Sequence, residues 1–138
     1  MKQKLFWLKL IGIVLLLHVV LILLSIIEVA IFSYLITPGK DTAFYSAHAK
    51  VSAPWIAAIF GSLFIFLLVK RFIKKFRADH LKYAVALPVT YIITDFLILL
   101  VSSGVDLKTQ MFQFIIANGV KLIAALIAYK IYAPQKNN

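Results

Sequence analysis

Apolar residues fall into four long runs along this 138-residue chain, at about 10–36, 52–69, 83–102 and 109–132, and polar residues gather between them. Each run is near or above the roughly 17–20 residues that cross a ~30 Å hydrocarbon layer as a helix. The first run is long enough that it is expected to tilt or to extend beyond the layer. Backbone N–H and C=O groups find no partners in lipid, and runs of about 20 residues exceed barrel strands, so four helices are predicted. The expected fold class is all-α: a polytopic membrane protein, a four-transmembrane-helix bundle forming a single membrane domain over residues 1–138.

The polar positions inside the runs repeat at helical spacing. His18, Ser25, Glu28 and Phe32 share one stripe of the first helix, and Ala84, Pro88, Tyr91, Asp95 and Ser102 share one on the third. On the fourth, Gln110, Ala117, Asn118, Lys121, Ala124, Ala125 and Ala128 do the same. The second helix offers Ala57, Ala58, Gly61 and Ser62, small residues that let helices approach closely. Helices 1, 3 and 4 are therefore expected to aim polar groups at a shared interior, with helix 2 packed against them. Pro88 is expected to kink helix 3 just below that cluster and free a backbone carbonyl.

Composition supports the same solvent. With 63% hydrophobic and 14% charged residues and a mean hydropathy of +0.98, the chain lies far from soluble domains, where about 25% charged residues is typical. The charge is also sorted. Eleven Lys and Arg (Lys2, Lys4, Lys9, Lys70, Arg71, Lys74, Lys75, Arg77, Lys82, Lys130, Lys136) fall on one side of the predicted spans, and three (Lys40, Lys50, Lys108) on the other. The positive-inside rule then makes both termini and the basic loop 70–82 cytoplasmic, with a bacterial cytoplasmic membrane as the expected location. The net charge of +10 is accounted for by topology, and no nucleic-acid partner is expected. In the 70–82 loop, Phe72, Ile73, Phe76 and Leu81 alternate with six cations, a pattern expected to rest on anionic lipid.

Boundary residues refine the elements. Ser52 with Pro54 is expected to open helix 2, Ser102-Ser103-Gly104 to end helix 3, and Asp106 to cap helix 4. Phe6, Trp7, Tyr34, Trp55, Tyr83, Tyr129 and Tyr132 sit where aromatic belts form. The segment Thr37–Val51 is expected to be a loop with a short surface helix capped by Asp41, leaving His48 outside the apolar layer.

Four ionisable residues lie within the runs: His18, Glu28, Asp95 and Lys121. A charge in mid-bilayer costs at least ~2.5–3.5 kcal/mol and is usually kept for a reason. Counted from the predicted outer ends, Glu28 lies ~12 Å deep, Asp95 ~10 Å, Asn118 ~14 Å and Lys121 ~18 Å, depths at which all four meet. Two carboxylates and one ammonium are thus expected to share a pocket. Lys121 neutralises one acid, and burial drives the other toward its protonated form, able to exchange a proton or accept a cationic ligand. The candidate ligand-binding or proton-linked residues are Glu28, Asp95, Lys121, Asn118, Tyr91 and His18, with His18 deeper and placed to relay protons inward.

Other chemistry finds little footing. Zero cysteines remove thiolate ligands, disulfides and thiol nucleophiles. A bis-His haem requires a second histidine at the depth of His18, so no cofactor and no metal are expected. No His-Glu-x-x-His, G-x-S-x-G or phosphate-cradling glycine loop occurs, and an enzyme is not expected. The stretch Ile26-Ile27-Glu28-Val29 resembles the glutamate-bearing first helix of small multidrug-resistance transporters. That family requires weak charge bias, unlike eleven against three, and no site residue is carried over from it. Two functions are expected from the residues: binding or transport of a small solute or lipid through the buried acid/base cluster, or service as an accessory subunit of a larger membrane complex. A homo-oligomer suits either.

Overall fold

The computed structural model describes residues 2–76, 80–101 and 107–133, which form four helices: α1 (Lys2–Ile31), α2 (Thr42–Lys75), α3 (His80–Val101) and α4 (Leu107–Tyr132). All four are long and apolar enough to cross a membrane. The stops expected at Ser102-Ser103-Gly104 and the cap expected at Asp106 lie outside the described residues.

α1 runs directly into one π-helical turn, Phe32–Ile36. The reversal into α2 follows at once. Gly39 adopts φ +81, a left-handed conformation that a side chain disfavours. The Tyr45 hydroxyl then ties the turn together, donating to the Thr37 carbonyl at 2.7 Å and accepting from the Lys40 N–H at 3.1 Å. Asp41 caps α2 by accepting from the Phe44 N–H at 2.8 Å.

The separate surface helix expected over Thr37–Val51 is not formed. α2 starts at Thr42 and continues unbroken through Ser52 and Pro54 to Lys75. The reason is that Asp41 supplies the cap, while an interior proline removes only one N–H donor and need not end a helix whose neighbours hold it. At about 1.5 Å per residue α2 is roughly 50 Å long, so it overreaches a ~30 Å layer. Most of the basic segment expected as a loop is its last turns and the first turn of α3. α3 likewise continues through the buried Pro88.

The interior is a set of helical stripes. Leu10, Val14, Leu17 and Leu21 of α1 meet Ala58, Gly61, Ile65, Val69 and Ile73 of α2, Ala84, Leu87 and Tyr91 of α3, and Ala117, Ala125 and Ala128 of α4. α2 and α4 share the most extensive contact, as their small residues permit. Large apolar side chains such as Leu16, Ile22, Ile26, Leu97, Ile123 and Leu126 point outward, each more than half exposed. So much outward apolar surface suits contact with lipid rather than water.

Candidate functional site

Helical spacing builds a polar cluster in the middle of the bundle. Tyr91 and Asp95 stand four residues apart on α3, Asn118 and Lys121 three apart on α4, and His18 follows Val14 by one turn on the buried stripe of α1. Asn118 Nδ2 donates to Asp95 Oδ2 at 2.7 Å and to the Phe114 carbonyl at 3.0 Å. Tyr91 stacks on His18, with ring centroids 4.3 Å apart and planes at 14°. The same Tyr91 ring receives the Lys121 ammonium, 4.4 Å from its centroid, a cation–π contact worth most when desolvated.

Lys121 is 1% exposed. Its stem passes Gly61, where a Cβ would stand 2.6 Å from Lys121 Cε. Helix 2 therefore contributes to the cluster by omission, since only glycine leaves the gap. Lys121 belongs to no ion pair among the described residues, whose paired acids go to histidines. Its charge still acts on Asp95 through space.

His18 carries the informative geometry. Its Nδ1 lies 2.9 Å from the Val14 carbonyl, an atom that can only accept, so Nδ1 holds a proton. Nε2 faces Asp95 Oδ1 at 3.6 Å and is buried without a hydrogen-bond partner. A neutral His18 thus points a lone pair at a carboxylate. Adding a proton to Nε2 turns that repulsion into a charge-assisted contact.

The expected sharing of one pocket by both carboxylates does not occur. Glu28 turns to α2, where His48 Nε2 lies 2.6 Å from its Oε1 and Ser52 Oγ donates to Oε2 at 2.8 Å. His48 stacks on Phe32 at 3.6 Å, with planes at 2°. His48 was expected outside the apolar layer, and Ser52 at a helix start. The continuous α2 places both on one face, four residues apart, opposite Glu28. Glu28 is thus the one candidate residue held apart from the others by its own partners; His18, Tyr91, Asp95, Asn118 and Lys121 come together. The sequence signal that would have found the two missed residues is the four-residue spacing of His48 and Ser52 on a helix capped by Asp41 and read on without a break.

Beside the cluster a groove of about 500 Å³ opens between α1, α2 and α3. Ala49, Ala53 and Ala57 line it from α2 at four-residue spacing, Ile22 and Ile98 make it apolar, and His18, Tyr91 and Asp95 line its polar part. The arrangement pairs an apolar cleft with two acceptor atoms, His18 Nε2 and Asp95 Oδ1, that share a place for one proton or one donor. No protein-family description, curated protein or solved structure matches the chain.

Proposed function

We propose that this protein binds a small amphiphilic solute carrying a cationic or hydrogen-bond-donating group, and exchanges it for a proton, in the groove between α1, α2 and α3. The observation that carries the reading is His18 Nε2, buried, unpartnered and 3.6 Å from Asp95. A proton there satisfies the histidine and the acid together. A donor or cation entering the groove satisfies the same two atoms, and the two occupants exclude each other. Among the described residues, Tyr91 and Lys121 are the other ionisable groups at the pair, from α3 and α4, and α2 lines the adjoining groove with Ala49, Ala53 and Ala57. Lys121 balances the Asp95 carboxylate when neither occupant is present, which keeps the empty state affordable in a dry interior. Both termini are proposed to face the cytoplasm, on the charge count of eleven against three.

The sign of the pH dependence follows from competition. Solute must displace a proton, so affinity rises with pH and falls as protons refill the place between the two atoms. Calorimetry of the purified chain with tetraphenylphosphonium, a cation on an apolar body, in buffers of differing ionisation enthalpy checks this. Proton release on binding is expected, and it should vanish in His18→Gln and Asp95→Asn. Binding that persists in both variants with no change in proton release refutes the reading. Stoichiometric co-purification of a second protein, lost in the same variants, would replace it with an accessory role.

A further inference from the structure

The opposite end of the bundle, away from the Glu28 pair and the turn, holds a second groove that the solute site does not use. Its volume is about 430 Å³, and it lies where the start of α1, the end of α2 and the start of α3 converge. Four aromatic rings line it. Tyr83 stacks on Phe76 at 4.3 Å, meets Phe6 edge-on at 4.8 Å and lies 5.5 Å from Phe72. These contacts tie three helix ends into one wall.

Three cations line the same groove: Lys9 from α1, and Arg71 and Lys75 from α2. Arg71 and Lys75 are one turn apart and so share a face. Among the described residues, no acid lines it and none of the three cations belongs to an ion pair. Two cations at this end lie over rings: Lys75 Nζ is 5.5 Å from the Phe76 centroid, and Lys82 Nζ 4.6 Å from that of Phe6. Toward the middle of the bundle the lining becomes wholly apolar, through Leu10, Ile13 and Leu68. The sequence of surfaces is therefore a cluster of positive charge followed by a hydrocarbon wall. It matches an amphiphile with an anionic head and a fatty tail.

We propose that this groove is a binding site for one anionic phospholipid, its phosphate held by Lys9, Arg71 and Lys75 and its first acyl carbons laid along Ile13 and Leu68. Arg71 can bind two phosphate oxygens with its planar fork, while the lysines act as point charges. A free phosphate would leave Leu10, Ile13 and Leu68 uncovered, and a zwitterionic lipid would place its own ammonium among three cations. The site is independent of the His18–Asp95 pair, so failure of either proposal leaves the other standing.

Native mass spectrometry of the full chain tests it, with phosphatidylglycerol and phosphatidylcholine of equal chain length added in mild detergent. The wild type should retain one phosphatidylglycerol at a concentration roughly tenfold or more below that needed for phosphatidylcholine. Lys9→Gln/Arg71→Gln/Lys75→Gln should abolish that preference. Lys70→Gln/Lys74→Gln/Lys130→Gln removes equal charge from residues outside the groove and should preserve it. Five of the six side chains are exposed and Lys70 is half-buried, and circular dichroism of each variant confirms its helices. Equal loss in both triple variants overturns the proposal in favour of diffuse charge attraction, and displacement of the lipid by millimolar inorganic phosphate alone overturns it in favour of a simple anion site.

Discussion

Gly61 and Lys121 occupy one space between them: the lysine stem fills the volume that any side chain on residue 61 would need, with Cε only 2.6 Å from where a Cβ would sit. This contact joins α2 to α4 at the level of the polar cluster. It also gives a direct test. Gly61→Ala should destabilise the bundle by roughly 1–3 kcal/mol, as overpacking does. In a Lys121→Ala background the same change should cost much less, because the opposing atoms are gone. A double-mutant cycle by reversible detergent denaturation measures the difference.

Asp95 and Lys121 should behave unequally when removed. Asp95→Ala leaves a buried ammonium without the acid that acts on it, whereas Lys121→Met leaves a carboxylate still bound by Asn118 and beside His18. We expect Asp95→Ala to be the more damaging by roughly 1–3 kcal/mol. The double variant should recover part of the loss. Thermal melts of the three proteins in one detergent provide the comparison.

His48 and Ser52 hold Glu28 across the α1–α2 reversal. His48→Ala should leave one carboxylate oxygen without its donor and remove the stack on Phe32, at a cost of roughly 1–3 kcal/mol. The effect should be local. Hydrogen exchange of the π-helical turn and the first turns of α2 should accelerate, while α3 and α4 keep their protection.

The absence of natural cysteine makes orientation simple to measure. Lys40→Cys should react with a membrane-impermeant maleimide added outside intact cells. Lys74→Cys should react only after permeabilisation. Labelling of both from outside, or the reverse pattern, contradicts the proposed topology.

Much of the cluster was legible before any coordinates. His18, Tyr91, Asp95, Asn118 and Lys121 stand out because polar residues are scarce in apolar runs and their spacing follows the helical period, which sets their direction. Gly61 was legible only as a small residue on the packing face. Its role as the gap for Lys121 depends on how far α2 and α4 are rotated about their axes. His48 was misjudged because the polar stretch after Ile36 and the proline at 54 both read as punctuation, although Asp41 starts a helix that passes through them.

From the chain alone come the four long apolar helices, the faces they turn inward and four of the ionisable groups gathered among them, His18, Glu28, Asp95 and Lys121, since helical geometry assigns each side chain a direction. Tertiary structure alone decided the partners. Glu28 and Asp95 lie at similar depths by residue count, and depth does not distinguish which base each will meet. Helix order and rotation place His48 against one acid and His18 with Asn118 against the other, leaving Lys121 over an aromatic ring instead of in the ion pair its charge suggested.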